Sequence, residues 1–142
     1  MSDKLMEYFN KQPRLATLST ADTKGNVDSA YFGSPRMVDE NTIVMGTGTN
    51  RTYANLRENP NAVFLIMEPG KTVSEWKGVR IYVKMKEHET SGRKLDQIRA
   101  VIAEKVGPET ANKMIHAALI FEIKDIRPLA DFGQGWGKSI GA

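Results

Sequence analysis

The sequence predicts a mainly β protein, an antiparallel barrel with a few short helices. Short apolar or alternating segments follow one another, and tight turns separate them. Helical patterns are few and short, and they do not alternate with strands as a doubly wound parallel sheet requires. The chain has 142 residues without an internal repeat or a linker-like segment. We therefore predict a single domain that spans residues 1–142.

Six strands are expected from these segments. Residues 22–26 and 39–41 have the composition of tight turns and separate the first three strands. Gly33 and Pro35 interrupt the second strand, so a bulge or bend is expected there. The predicted strands cover about residues 14–20, 27–38, 42–46, 62–67, 79–86 and 117–126.

Two of these strands carry opposite patterns. Residues 62–67 are all apolar, which is typical of a strand covered on both faces. Residues 79–86 alternate, which is typical of a half-buried strand. The predicted buried residues of that strand are Val79, Ile81, Val83 and Met85, and the predicted solvent-facing residues are Arg80, Tyr82, Lys84 and Lys86.

Two amphipathic segments predict helices that pack one face on the barrel. The first can be capped by Ser2 or Asp3 and ends at Pro13. The other can be capped by Ser91 and ends at Gly107 and Pro108. Their apolar faces consist of Leu5, Met6 and Phe9 in the first helix, and of Leu95, Ile98 and Ile102 in the other.

The composition is that of an ordinary soluble domain. Hydrophobic residues make up 40% of the chain, and the formal net charge of +3 suits a small anionic ligand as well as a nucleic acid. No apolar run reaches the roughly 20 residues of a membrane helix, and the first residues do not resemble a secretory signal. Cysteine is absent, so thiol chemistry and disulfides are excluded. By default we predict a cytoplasmic protein.

The most informative segment runs from Thr42 to Ile66 and reads TIVMGTGTNRTYANLRENPNAVFLI. It predicts a strand, a glycine-rich turn, a short helix that opens on Arg51 and Thr52, and a stop at Pro60. Because a helix N-terminus offers free N–H groups and a partial positive charge, this junction predicts a phosphate-binding site. An ordinary strand–helix junction with a solvated arginine remains the alternative.

Other motifs do not support a specific chemistry. Position 65 is leucine where a phosphate-binding loop ending at Lys71 and Thr72 would need glycine. His88 and His116 each lack a neighbour at metal-ligand spacing, so a solvated or structurally hydrogen-bonded imidazole is expected for both, and no metal site is predicted. No catalytic residue is indicated. Any redox or group-transfer chemistry is therefore expected to come from a cofactor.

The order of elements and the motif N-R-T-x-x-N-L-x-x-N-P resemble the FMN-binding split-barrel family, the pyridoxamine 5'-phosphate oxidase-like proteins. The resemblance covers about residues 4–129, and its motif residues are Arg51, Thr52, Asn55, Leu56, Asn59 and Pro60. It implies a six-stranded antiparallel split barrel of the FMN-binding type. It also implies a homodimer with FMN at the subunit interface.

The resemblance implies a role for individual residues. Arg51 would pair with the FMN phosphate, while the Thr52 hydroxyl and the N–H groups of residues 50–52 add hydrogen bonds. Gly46 would permit close approach of the ring, and Arg36 is a weaker candidate for a second phosphate cation. The cofactor-binding residues implied in this way are Ser29, Ala30, Tyr31, Met45, Gly46, Thr47, Asn50, Arg51, Thr52, Asn55 and Trp136.

Simpler interpretations of these residues remain open. Tyr31 and Met45 are also consistent with core positions in strands. Asn55 can hydrogen-bond a neighbouring loop instead of a ligand. Trp136 lies in the glycine-rich tail of about residues 130–142, where it can either cover the partner's flavin at the dimer interface or pack on its own barrel.

Two departures separate the chain from the catalytic branch of the family. Thr52 stands where those enzymes usually have lysine, and the tail lacks their substrate-holding arginine and histidine. We therefore expect a small FMN-dependent oxidoreductase or electron-transfer protein with an unknown small-molecule or protein redox partner, rather than a vitamin B6 oxidase. The alternative is a non-catalytic binding module for a deazaflavin or a haem-related anion. Neither a nucleic acid nor a membrane is an expected partner.

Overall fold

A computed structural model describes residues 2–12 and 14–141. Its strands form a single antiparallel sheet with the spatial order β2-β1-β5-β6-β7-β4-β3. The strands are β1 (Leu15–Ala21), β2 (Val27–Tyr31), β3 (Arg36–Asp39), β4 (Thr42–Thr47), β5 (Asn61–Glu68), β6 (Lys77–Glu89) and β7 (Ala117–Pro128). The helices are α1 (Ser2–Asn10), α2 (Arg51–Glu58), α3 (Arg93–Val106), α4 (Pro108–Met114) and α5 (Trp136–Ser139), and a 3-10 turn covers Val73–Glu75.

The predicted mainly β fold is confirmed, but the described part of the chain has seven strands and not six. The segment expected to be one strand over 27–38 is divided into β2 and β3. Gly33 and Pro35 do more than bend it, because β2 and β3 lie at opposite edges of the sheet. The loop between them therefore bridges the two edges of the rolled sheet.

The core lies inside the curved sheet and is rich in aromatic contacts. Phe64 on β5 meets Phe9 of α1 with ring centroids 5.8 Å apart, and it meets Phe121 of β7 at 5.3 Å, both edge to face. All three rings are completely buried. Edge-to-face pairs of this kind add to the stabilisation that burial already provides.

The alternation predicted for β6 is confirmed, whereas β5 differs from its prediction. Phe64 and Ile66 of β5 point into the core, but the intervening residues remain partly exposed on the outer side. The outer surface of β2, β1 and β5 therefore carries apolar side chains that the protomer leaves partly uncovered. We call this surface the open face, and its large apolar residues are Leu15, Val27, Tyr31, Val63, Leu65 and Met67.

Helix α1 packs its apolar face on the barrel core, as its apolar pattern predicted. Leu5 and Phe9 are buried, and Met6 packs against the same core. The helix ends at Asn10, whose side chain exchanges two hydrogen bonds with the backbone of Met37 on β3, both 2.8 Å long. The predicted helix end at Pro13 and the predicted capping side chains of Ser2 and Asp3 lie outside the described residues.

Helix α3 covers the outer side of β4 and β7, which we call the covered face, and α4 packs on α3. The predicted cap at Ser91 is wrong, because the residue before the helix is Gly92, with a φ of 122°. Glu89 takes over the capping role, since its Oε1 accepts a hydrogen bond from the N–H of Leu95 at 3.2 Å. Helix α4 has no counterpart among the predicted elements.

Candidate cofactor-binding site

The predicted junction between strand and helix forms at β4 and α2. Asn50 caps α2, because its Oδ1 accepts a hydrogen bond from the N–H of Tyr53 at 2.9 Å. Its Nδ2 donates to Oγ1 of Thr47 at 3.0 Å, which fixes the turn to the end of β4. Helix geometry leaves the N–H groups of Arg51 and Thr52 without intrahelical acceptors. These two groups are therefore available to an anion.

Arg51 and Thr52 differ in accessibility. Arg51 is exposed, and it belongs to none of the ion pairs that residues 2–12 and 14–141 form. Thr52 is only 2% exposed, so its hydroxyl is much less accessible than its position at the helix start suggests. The geometry thus favours an anion held by the Arg51 guanidinium and by backbone N–H groups.

Asn55 anchors the helix. Its side chain is buried, and its Nδ2 donates a hydrogen bond to Oγ1 of Thr20 on β1 at 3.1 Å. This contact joins α2 to the inner side of the sheet rather than to a loop. A contact between Asn55 and a ligand stays a prediction.

The three predicted residues of β2 do not share one side of the strand. Ala30 pairs with the buried Leu18 and points toward the barrel interior. Ser29 pairs with Ser19, and their hydroxyl oxygens are 2.7 Å apart on the open face. Tyr31 lies on that face too and is 64% exposed, which excludes a core role within the protomer.

The predicted residues of β4 face two different environments. Met45 and Thr47 are each 1% exposed, and Met45 belongs to the barrel core. A Cβ on Gly46 would lie 2.7 Å from Cγ2 of Ile98 and 2.8 Å from Cγ2 of Ile115. Glycine is therefore required here for close packing of the covered face, and its proposed approach to a ring stays a prediction.

The two histidines, far apart in the sequence, meet at Tyr53 of α2. Nδ1 of His88 is 2.9 Å from Oη of Tyr53, so one of the two donates a hydrogen bond to the other. His116 lies edge to face with the same ring at 6.0 Å, and the Arg57 guanidinium lies 4.8 Å from the ring centroid. The structurally hydrogen-bonded imidazole predicted for His88 is confirmed. No sequence pattern indicated that both rings share one partner.

A cleft of about 430 Å³ opens between α3 and the outer side of β3 and β4. It contains none of the eleven predicted cofactor residues, although Ile98, which packs on Gly46, lines it. Arg36, the weaker candidate for a phosphate cation, does line the cleft. The apolar part of its lining consists of Val38, Val44, Ile98, Val101, Ile102 and Ile120.

Arg14 carries an unneutralised charge at the same cleft. Its Nη2 donates to the carbonyl oxygen of Pro35 at 2.6 Å, and its guanidinium lies 5.1 Å from the centre of the Phe9 ring. Burial lowers the pKa of Arg14, and its Nε is buried without a hydrogen-bond partner among the described residues. An uncompensated, partly desolvated cation of this kind favours an anion nearby.

Trp136 packs on its own protomer. It is partly buried against the barrel core at the start of α5. The hydroxyl of Ser139 fastens the same helix by accepting from the N–H of Leu129 at 2.8 Å and by donating to the carbonyl oxygen of Gly78. A contact between Trp136 and a partner's flavin stays a prediction.

Among the helices of the described residues, none combines the length and the apolar character needed to cross a bilayer. Within the same residues, no three histidine, cysteine or acidic side chains gather where they could hold a metal ion.

Comparison with known families gives a match over most of the chain. Residues 2–127 match the family model described as pyridoxamine 5'-phosphate oxidase. A comparison with curated protein sequences found no match. The relationship therefore rests on the family model and on solved structures.

Several solved structures share the fold. An FMN-binding protein from Syntrophomonas wolfei subsp. wolfei is 26% identical, with a TM-score of 0.79, and the match covers 92% of this chain and 86% of that protein. HupZ from Group A Streptococcus is 18% identical, with a TM-score of 0.73 and coverage of 95% and 96%. HutZ, the heme storage protein from Vibrio cholerae, is 17% identical, with a TM-score of 0.55 and coverage of 87% and 91%. The last two similarities concern the fold alone.

Proposed function

The chain belongs to the pyridoxamine 5'-phosphate oxidase family, and from this premise we propose that it is an FMN-binding homodimer that works as a small oxidoreductase or electron carrier. The observation that carries the proposal is the cationic start of α2. There, Arg51 makes no ion pair among the described residues, next to two N–H groups without intrahelical acceptors. The similarity to the FMN-binding protein of Syntrophomonas wolfei supports the same cofactor.

The residues at this junction fit a phosphate dianion. Arg51 and the N–H groups of Arg51 and Thr52 would hold the phosphate, and the Asn50 cap would keep the turn in place. Ser29 and Tyr31 would flank the ring from the edge of the open face, where Tyr31 is accessible. Bound FMN would supply one-electron or hydride transfer through its ring system.

The open face supports a homodimer. Leu15, Val27 and Tyr31 are 46%, 81% and 64% exposed, and they lie beside the partly exposed outer residues of β5. Contiguous exposed apolar surface of this kind marks an interface in a soluble protein. A second copy of the chain would cover β5 from outside and so satisfy the all-apolar pattern of that strand. Because β2 forms the edge of the face, a flavin beside Tyr31 would lie close to the interface.

A vitamin B6 oxidase is not the favoured activity. Thr52 replaces the lysine that those enzymes usually carry, and its side chain is buried. The tail that would hold the substrate has neither arginine nor histidine, and Trp136 packs on its own barrel. We therefore favour a different, still unidentified electron acceptor or donor.

The test is a titration of purified protein with FMN and, separately, with riboflavin. Bound oxidised flavin absorbs at about 450 nm, and FMN should bind about tenfold more tightly than riboflavin because only FMN carries the phosphate. Protein that binds neither flavin, or both equally, would contradict the proposal. If a deazaflavin or haem displaces FMN at a concentration below the one at which FMN itself binds, the alternative of another anionic cofactor on the same barrel is favoured.

A further inference from the structure

We infer that His88 is a positioning residue of the phosphate site: through Tyr53 it fixes the first turn of α2 and thereby sets the affinity for FMN. The inference rests on the proposed function, because the phosphate at Arg51 belongs to that proposal. It adds a residue of β6 to a site that consists otherwise of the junction between β4 and α2.

Tyr53 takes part in the cap of α2 through its backbone. Its N–H donates a hydrogen bond to Oδ1 of Asn50 at 2.9 Å, and Nδ2 of Asn50 donates to Oγ1 of Thr47 at 3.0 Å. The residues between Asn50 and Tyr53 are Arg51 and Thr52, whose N–H groups lack intrahelical acceptors. A contact that holds Tyr53 in place therefore also fixes the direction in which these N–H groups point.

The hydroxyl of Tyr53 depends on His88. Tyr53 is 3% exposed and belongs to the core of the barrel, and its Oη lies 2.9 Å from Nδ1 of His88. Within residues 2–12 and 14–141, this is the one hydrogen bond that the hydroxyl makes. Because a buried hydroxyl without a partner is costly, the bond to His88 determines the orientation of the Tyr53 side chain.

The other contacts of the Tyr53 ring have no such direction. His116 lies edge to face with the ring at 6.0 Å between centroids, and the Arg57 guanidinium lies 4.8 Å from the ring centroid. Such contacts pack the ring, but they involve its face and its edge rather than its hydroxyl. Without the hydrogen bond to His88, the ring would therefore be free to tilt.

The remaining anchors of α2 act farther along the helix. In the middle of the helix, Nδ2 of Asn55 donates to Oγ1 of Thr20 at 3.1 Å. At its last residue, Glu58 accepts a hydrogen bond from the Thr23 hydroxyl at 3.0 Å. Loss of the contact with His88 should therefore loosen the first turn of α2 and leave its middle and its end in place.

The experiment compares His88→Leu with His88→Asn in the full chain. Leucine removes the hydrogen bond, so FMN should bind about fivefold more weakly, whereas riboflavin, which lacks the phosphate, should bind as before. Asparagine offers an amide group in place of Nδ1 and should restore FMN binding. Titration followed by flavin fluorescence measures all of these affinities.

The asparagine variant separates positioning from a direct electrostatic effect. Neither leucine nor asparagine can carry a positive charge, so a charge that His88 contributed to phosphate binding would be lost in both variants. If FMN binds equally weakly to both, His88 acts through its charge and the inference is wrong. It is also wrong if His88→Leu weakens FMN and riboflavin equally, or if it leaves the preference for FMN unchanged.

Two further variants test the route through Tyr53. Tyr53→Phe removes the same hydrogen bond from the other side and should weaken FMN binding as much as His88→Leu does, and the two substitutions together should cost no more than either alone. Thr23→Ala removes the side-chain hydrogen bond at the opposite end of α2 and is the matched control, which should leave FMN binding unchanged. Additive losses in the double variant would show that His88 does not act through Tyr53 and would overturn the inference.

Amide hydrogen exchange tests the loosened turn without any flavin. In His88→Leu, the amide of Tyr53 should exchange about fivefold faster than in the wild type, while the amide of Asn59, which donates to the carbonyl oxygen of Asn55, should be unchanged. Equal exchange rates of the Tyr53 amide in the two proteins would overturn the inference and leave the FMN proposal intact. Conversely, a wild type that binds FMN no better than riboflavin would overturn both the FMN proposal and the role inferred for His88 in it.

Discussion

The two outer faces of the sheet differ in how far the protomer covers their apolar residues. On the covered face, Ile98 of α3 and Ile115, which follows α4, pack so closely on β4 that residue 46 must be a glycine. On the open face, Leu15, Val27 and Tyr31 remain exposed on neighbouring strands. Both faces belong to the same antiparallel sheet, and both carry apolar residues.

The difference indicates where each face obtains its cover. A face covered by its own chain shows tight contacts that leave no room for one more methyl group. A face that binds a second chain leaves apolar side chains partly or largely exposed in the separate protomer. Helix α3 therefore belongs to the folded protomer, and the open face is where we propose that a second copy of the chain binds. The predicted flavin residues Ser29 and Tyr31 lie on the assembling side.

The largest expected effect is the loss of the dimer when the open face carries a charge. Leu65→Asp should raise the dimer dissociation constant at least about 100-fold, because a carboxylate would be buried without a partner. Sedimentation velocity at several concentrations measures this change. Val106→Asp, at an exposed position on α3, is the matched control and should leave the dimer intact. If the wild-type chain is monomeric at all concentrations, the open face is not a dimer interface.

The covered face is tested by adding a single methyl group. Gly46→Ala should lower the free energy of unfolding by about 1–3 kcal/mol, because its Cβ would overlap with two isoleucines. The control is Gly135→Ala, where a Cβ meets open space, and its effect should stay within about 0.5 kcal/mol. Urea unfolding followed by circular dichroism measures both. Equal stabilities of the two variants would contradict the close packing of Ile98 and Ile115 around Gly46.

The flavin site next to the open face is tested through its cation. Arg51→Gln should weaken FMN binding about tenfold and leave riboflavin binding unchanged, because the contact proposed for the guanidinium is with the phosphate alone. Flavin fluorescence titration measures both affinities. Arg93→Gln is the control for a general loss of positive charge. An equal loss for FMN and riboflavin would mean that Arg51 does not contact the phosphate.

The smallest expected effect concerns the turn between β1 and β2, which supports the open face. Asp22 accepts hydrogen bonds from the N–H of Asn26 and from its side-chain amide, and these bonds lower the pKa of Asp22. A lowered pKa means that the stabilisation is present above the ordinary value of 3.8 and is lost as the pH falls below it.

Asp22→Asn should therefore be less stable than the wild type by a small amount that is constant between about pH 5 and 7. The difference should shrink as the pH falls below 3.8, because the wild-type carboxyl then becomes neutral as well. Unfolding curves across that range measure the difference. A stability difference that grows as the pH falls would contradict the lowered pKa of Asp22.

Much of the fold was predictable because its information is local. The alternation in β6 predicted which side chains are buried, and the glycine-rich turn followed by Arg51 predicted the start of α2. Each pattern lies within a few consecutive residues, where periodicity and capping preferences act directly. The cap of α3 was predicted wrongly at Ser91, because the group that fills the role, Glu89, belongs to the preceding strand.

The candidate site was predictable only in part. The order of strand, turn and helix located Arg51 and its free N–H groups, and the family motif pointed to the same residues. The sequence did not predict that Arg14 and Arg36 share a cleft, nor that His88 and His116 meet at Tyr53. These residues lie far apart along the chain, and only the pairing of distant strands brings them together.

By itself, the sequence determined the mainly β class, the approximate strands and the junction of strand, turn and helix at Arg51, because each depends on neighbouring residues. The tertiary structure decided that β2 and β3 end at opposite edges, that α3 covers β4 and that the apolar outer side of β5 stays open. An apolar pattern records that a side chain must leave water. It does not record which distant segment, or which second chain, will cover it.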